Sequence, residues 1–212
     1  MNLRVVVLAA WKSTRMNSGT PKFLLPLNGK LLIVHLLDTI EKTGIDPHPV
    51  IVVGHRADDI KAALGEKYTY ALQREQLGTG HAVQCTESIL KNTADAVIVL
   101  YGDHPLLSPH TLFSLKTLHE KHTKALSMLT TIVEEFRGWQ TAFYGFGRIL
   151  RAKNGNIMKI VQKKDATEDE LQVKEVDPAL YAFRAAWLWE NLKKLTNANA
   201  QREYYLTDLV KI

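Results

Sequence analysis

Residues 3–10 read Leu3-Arg4-Val5-Val6-Val7-Leu8-Ala9-Ala10. This is an apolar, β-branched run of strand length, followed at once by a polar stretch, Lys12 to Lys22. A strand that is apolar without alternation is one covered on both faces. That situation belongs to parallel sheets packed between helices. The segments that follow agree. Leu31–Thr43 has helical apolar spacing and stops at Gly44, and Val50–Val53 is a second buried strand. Asp58–Leu64 is helical, Tyr68–Leu72 a strand, and Gly80–Leu90 a helix. Ala96–Tyr101 is a strand, and Pro109–His122 a helix capped by Ser108. Strands alternating with helices predict an α/β fold with a doubly wound, mostly parallel sheet.

Beyond about residue 130 the pattern changes. Leu126–Val133, Gly147–Ala152, Ile157–Gln162 and Val173–Phe183 read as strands, with Asn154-Gly155 as a hairpin turn, and Ala185–Leu195 as a helix. The reading is one domain over 1–212. Residues 1–130 form an α/β core, and residues 131–212 supply a strand-rich lid and C-terminal helices.

Composition narrows the function classes. The chain has 212 residues, 46% hydrophobic and 23% charged, as expected of a globular protein with a sizeable core. Its one cysteine, Cys85, rules out an internal disulfide and fits a reducing compartment. The longest apolar run, Val5 to Trp11, is far too short for a bilayer, and Met1 leads straight into strand-like sequence. Together these predict a cytoplasmic protein with no membrane partner. The formal charge of +5 comes from Lys and Arg interleaved with acids. With no basic stripe and no aromatic stacking platform, nucleic acid is not expected as a partner.

Open α/β sheets bind ligands outside the carboxyl ends of their strands. Two segments therefore matter most. After the first strand comes Leu8-Ala9-Ala10-Trp11-Lys12-Ser13-Thr14-Arg15-Met16, then Pro21-Lys22. Small residues let backbone amides approach an anion, and Arg15 and Lys22 can add charge-assisted contacts to phosphate. The glycine patterns of a Walker loop or a dinucleotide fingerprint are absent. Taken alone, the segment is equally a polar surface loop with two solvated cations. After the fourth strand comes Tyr101-Gly102-Asp103-His104-Pro105. Asp103 could hold Mg²⁺, which prefers oxygen ligands, or simply cap a turn before Pro105. A third segment, Gln73 to His81, offers Gly78-Thr79-Gly80 before a helix and an amide, Gln73, able both to donate and to accept.

Taken in order, these segments resemble a known family. They are joined by Lys164-Asp165-Ala166-Thr167 and by Asn199-Ala200-Gln201-Arg202-Glu203-Tyr204-Tyr205-Leu206-Thr207-Asp208. The whole chain resembles the uridylyltransferase domain of bacterial bifunctional N-acetylglucosamine-1-phosphate uridylyltransferases, within the sugar-1-phosphate nucleotidyltransferases. The resemblance implies a Rossmann-like fold of the nucleotide-diphospho-sugar transferase type. It implies that UTP and N-acetylglucosamine 1-phosphate are joined with Mg²⁺ as cofactor. It places Leu8, Ala9, Ala10 and Trp11 along the nucleotide, and Gln73, Gly78 and Thr79 at the uracil. Arg15 and Lys22 fall on the triphosphate. Tyr101 and Gly102 flank the metal and sugar, with Asp103 as metal ligand. Gly147, Gln162 and Asp177 fall at the sugar.

The chain departs from the family at several of these positions. Trp11 and Ser13 stand where the family carries glycine, Gln162 where it carries an acid, and Asp177 where it carries Asn. The family runs on to a second metal-binding Asn and commonly to a β-helix acetyltransferase domain. With the sequence ending at Ile212, no acetyl transfer is expected of it. The departures open two alternatives. One is transfer to a different sugar 1-phosphate. The other is a relative that binds nucleotide or sugar nucleotide with little turnover, with an indole at position 11 bordering the nucleotide pocket.

Overall fold

The computed structural model describes residues 1–11 and 20–212. The first strand, β1 (Leu3–Ala9), is the central one. After Lys22–Leu24, a single 3₁₀ turn, come the short strands β2 (Pro26–Leu27) and β3 (Lys30–Leu31), which pair only with each other. Helix α1 (Leu32–Thr43) ends at Gly44, whose φ of 63° provides the left-handed cap expected from the sequence. Next come β4 (Val50–Val53), α2 (Ala57–Leu64) and β5 (Thr69–Leu72). They are followed by α3 (Thr79–Gln84), α4 (Glu87–Leu90), β6 (Ala96–Tyr101) and α5 (Pro109–Lys121). The Ser108 hydroxyl accepts the Thr111 N–H at 3.1 Å, and Pro109 occupies the first helical turn.

The chain continues through β7 (Leu126–Met128), β8 (Thr131–Ile132), β9 (Gly147–Arg151) and β10 (Ile157–Val161). It closes with α6 (Glu168–Leu171), β11 (Glu175–Asp177), β12 (Tyr181–Arg184) and α7 (Ala185–Leu192). The main sheet has the order β5-β4-β1-β6-β12-β7. The first four strands are parallel; β12 runs antiparallel to both its neighbours. Side chains of β1 alternate between two cores, as a pleated strand requires. Val6 and Leu8 join Leu188, Trp189 and Leu206 on one face; Val5 and Val7 join Leu36, Ile40 and Leu115 on the other. This double burial is why the strand lacks a polar face.

The strand order reverses at β1. The chain leaves it for β4 and β5 on one side and returns to β6 on the other. The crevice at the carboxyl ends of β1 and β6 is therefore the expected ligand position.

Four segments differ from the sequence reading. Gly80–Leu90 is two helices, because the Thr86 amide and hydroxyl both donate to the Val83 carbonyl, at 2.9 and 2.7 Å, which tightens the turn and breaks the ladder. The runs Leu126–Val133 and Val173–Phe183 each split between two sheets. The second breaks at Pro178, which has no N–H to give, and Ala179, whose φ is +60°. The helix from Ala185 stops at Leu192 rather than Leu195.

The second sheet, β10-β9-β11-β8, is inserted between β7 and β12. The β9–β10 hairpin turns at Asn154-Gly155, with φ +84° at the glycine and the Asn154 side chain accepting the Asn156 N–H at 3.1 Å.

Candidate active site

Arg15 lies outside the described residues, as does the rest of segment 12–19. Several of the described candidate residues converge on the β1/β6 crevice. Leu8, Ala9 and Ala10 are fully buried. The Leu8 carbonyl accepts the Gly102 N–H at 2.9 Å, and the Ala10 carbonyl accepts the His55 N–H at 3.0 Å, so the neighbouring loops are laced to the end of β1. A Cβ at Gly102 would lie 3.0 Å from the Phe23 ring, which explains the glycine beside Asp103.

Trp11 is half-buried. Its ring meets Phe23 and Tyr101 edge-on, with centroids 5.6 and 5.3 Å away, and Lys22 Nζ lies 5.0 Å from its centroid. Lys22 Nζ also forms an ion pair with Asp103. Trp11, Lys22, Tyr101 and Asp103 are thus one contiguous group. Tyr101 stacks on His104, whose imidazole is held below its usual range chiefly by burial.

On the β5 side, Gln73 is almost completely buried. Its backbone N–H extends the ladder to Val53 at 2.8 Å, and its Nε2 sits 3.0 Å from the Gly78 carbonyl and 3.1 Å from His81 Nδ1. Gly78 has φ +110°, and a Cβ there would lie 2.7 Å from the Tyr204 carbonyl, so only glycine fits. Tyr204 clamps this loop from both directions. Its N–H donates to the Leu77 carbonyl and its carbonyl accepts from Gly80, each at 2.7 Å. The Thr79 hydroxyl accepts the Leu206 N–H at 2.9 Å.

On the second sheet, Gly147 pairs with Asp177 across β9 and β11. A Cβ on Gly147 would reach to 3.3 Å from Gln162 Nε2, and that nitrogen donates to the Thr207 hydroxyl at 3.3 Å. The structure therefore brings Gly147, Gln162 and Asp177 together. Asp177 is buried; its oxygens accept from the Ala179 N–H at 2.9 Å and from the Tyr181 hydroxyl. Burial pushes its carboxyl up to about 6, against the pull of those two donors. Burial first, then the charge of Asp177, raises the Tyr101 phenol, which links the Asp177 and crevice groups electrostatically.

Sequence reasoning assigned no role to Phe23, His81, Tyr181, Tyr204 or Thr207. Tyr204 and Thr207 sit in the Asn199–Asp208 motif, where the motif itself was the signal; nothing in the spacing of Phe23 or Tyr181 pointed to the crevice. Among the described residues no group of three or more His, Cys, Asp or Glu is placed to hold a metal. Asp103 alone is a monodentate or bidentate oxygen donor, with its side chain about one-third exposed. That donor set suits Mg²⁺, which keeps water and phosphate oxygens as its other ligands.

Residues 5–205 match the MobA-like NTP transferase domain family. The chain is 42% identical over 207 residues to the bifunctional protein GlmU of Bacillus licheniformis, covering 98% of this chain and 44% of that protein. It is 41% identical over 212 residues to the bifunctional protein GlmU of Clostridioides difficile, again 44% of the relative. The chain thus spans less than half the length of the curated relatives it matches. Among solved structures, a UDP-glucose pyrophosphorylase complexed with UDP-glucose superposes with a TM-score of 0.76, at 18% identity, covering all of this chain and 86% of that one. A CMP:2-keto-3-deoxy-manno-octonic acid synthetase complexed with CTP gives 0.66 at 16% identity, covering 91% and 78%. These two likenesses bear on the fold, and they agree with the doubly wound sheet and its crevice at β1 and β6. By its sequence over nearly its full length, the chain belongs to the MobA-like NTP transferase domain family.

Proposed function

We propose that this chain transfers uridylate from UTP to N-acetylglucosamine 1-phosphate, giving UDP-N-acetylglucosamine and pyrophosphate, with Mg²⁺ and in the cytoplasm. The observation that carries the reading is the Lys22–Asp103 pair at the switch point of the sheet, a cation for phosphate and a carboxylate for metal in one place. The identity of 42% to the GlmU protein of Bacillus licheniformis and 41% to that of Clostridioides difficile supports this choice of nucleotide and sugar. No helix among the described residues is long and apolar enough to cross a membrane.

A phosphate oxygen of the sugar 1-phosphate attacks the α-phosphorus of UTP. A new P–O bond forms, the α–β bridge bond breaks, and pyrophosphate leaves with the electron pair. The nucleophile is already an anion, so no strong general base is needed, and catalysis is alignment plus charge neutralisation. Lys22 and Arg15 supply positive charge along the phosphates. Asp103 would hold Mg²⁺, which when bound neutralises the triphosphate and orients it. Gln73, Gly78 and Thr79 face the base, with Leu8 to Trp11 along the nucleotide. Tyr101, Gly102, Gly147, Gln162 and Asp177 border the sugar. Residues 1–130 would thus provide the nucleotide side together with Tyr101 and Gly102, and residues 131–212 the rest of the sugar side, with β7 and β12 completing the main sheet. The test is a pyrophosphate-release assay with each nucleoside triphosphate against a panel of sugar 1-phosphates. Absence of a UTP preference would reject the reading.

One observation favours a second acceptor. Asp177 spends its oxygens on Tyr181 and Ala179. A different sugar 1-phosphate from the same panel would then be the best substrate.

A further inference from the structure

The side-chain amide of Gln73 has two N–H hydrogens and one carbonyl oxygen. The Gly78 carbonyl, 3.0 Å from Nε2, can only accept, so the nitrogen and not the oxygen must face it. The same nitrogen lies 3.1 Å from His81 Nδ1. Its second hydrogen therefore points at Nδ1, which must carry a lone pair. The imidazole proton is thereby assigned to Nε2, which lies 4.0 Å from Cys85 Sγ, a weak acceptor. Both hydrogens of the amide are consumed within the protein. What Gln73 has left to present at the carboxyl end of β5 is its oxygen, an acceptor only.

We propose that His81 is a positioning residue for base selection: its Nδ1 lone pair, with the Gly78 carbonyl, locks Gln73 so that only its carbonyl oxygen meets the base. This rests on the reading that Gln73 faces the nucleotide base. An acceptor in that place pairs with the imide N–H of uracil. Cytosine carries a lone pair at the same ring nitrogen, and two acceptors would oppose each other there. His81 acts through Gln73 and touches no substrate. Its place in α3 is fixed because the preceding loop is clamped by Tyr204 and its neighbour Gly80 is bonded to that residue. The lock is therefore held by backbone on one side and an imidazole on the other.

The experiment measures kcat/KM for UTP and CTP in the whole protein and in three variants. His81→Leu removes the acceptor, and the UTP-over-CTP ratio should fall about fivefold to tenfold, the worth of one oriented hydrogen bond. His81→Asn returns an oxygen near the Nδ1 position and should restore most of the ratio. Gln73→Leu should abolish it. If Gln73→Leu abolishes discrimination and His81→Leu leaves it intact, the inference fails while the uridylyl reading stands. If the wild-type protein shows no preference for UTP, both fall together. Should His81→Leu not fold, the imidazole tautomer is read directly in wild-type protein by nitrogen and carbon NMR of labelled histidine. A proton on Nε2 alone is expected, and a proton on Nδ1 would overturn the assignment.

Discussion

Lys22 and Asp103 are bonded to each other at the crevice where β1 and β6 end, although they are 81 residues apart in sequence. Each is the other's counter-ion until a substrate arrives. In the proposed reaction triphosphate would take over the ammonium and Mg²⁺ the carboxylate. Asp103→Ala or Lys22→Ala should lower turnover by about a hundredfold to a thousandfold, the usual cost of one preorganised charge contact. Pyrophosphate release measures it, and full activity in both variants would refute the assignment. The same pairing predicts weak Mg²⁺ binding in the absence of nucleotide. Calorimetry should show little heat from Mg²⁺ alone and a clear signal once UTP is present.

Trp11 packs on Phe23 and Tyr101 and under the Lys22 ammonium. The indole is therefore part of the wall that holds the ion pair. Trp11→Gly should cost roughly 2 kcal/mol of stability, from lost aromatic packing and a freed backbone. Trp11→Phe should recover most of that. Chemical denaturation separates the two, and equal stability of wild type and Trp11→Gly would show the packing to be idle. If Lys22 turns to the triphosphate as proposed, the emission of Trp11 should respond to UTP, and the response should vanish in Trp11→Phe.

The Asp177 carboxyl is raised to about 6 by burial, above its unfolded value near 4. The folded state thus holds a proton that the unfolded state releases. The stability linked to that proton is complete below about pH 4 and is lost as pH rises through 6. Asp177→Asn cannot ionise, so its advantage over the wild type should be small at pH 4 and grow to about 3 kcal/mol at pH 8. If Asp177 borders the sugar as proposed, the variant should also bind sugar 1-phosphate more tightly at pH 8, because an anion has been removed there. Denaturant melts across that range check the first, and KM for the sugar phosphate checks the second. A pH-independent difference would show that Asp177 is not titrating.

His119 has the opposite sign. It is wholly buried between α5 and β7, its Nδ1 3.0 Å from the Ser127 hydroxyl. Burial first, then the Arg184 charge, lowers its pKa below the usual histidine value. The folded state resists the proton that the unfolded state takes up near pH 6.5, so the contribution is complete above that pH and declines as pH falls below it. His119→Phe should flatten the loss of stability between pH 7 and pH 5 while lowering stability at neutral pH through the lost Ser127 bond. An unchanged acid limb would sink this account.

The parallel half of the fold was legible because burial on both faces leaves its mark on composition. Val5 to Leu8 could belong to no other kind of strand, and Gly44 and Ser108 carried their caps in their own chemistry. The strand pairs of the second half were less legible. Leu126–Val133 and Val173–Phe183 each read as one strand, and whether a run stays in one sheet or crosses to another is decided by tertiary packing. Lys22 and Asp103 were found through the motif, while their pairing depends on a side-chain geometry that no spacing encodes. Gln73 was visible as an amide able to donate and accept. That His81 and Gly78 consume its donors required coordinates.

The Tyr204 clamp also sets a time order. The hydroxyl of Thr79 receives its partner, the Leu206 amide, from 127 residues further along the chain. A ribosome must therefore make most of the domain before the glycine loop acquires its shape, and contacts of such long sequence separation form late. Until then the nascent chain is predicted to lack this loop's final shape and to expose the apolar ends of β1 and β6. The stretch most exposed to chaperones during synthesis is predicted to be the crevice at the carboxyl ends of β1 and β6.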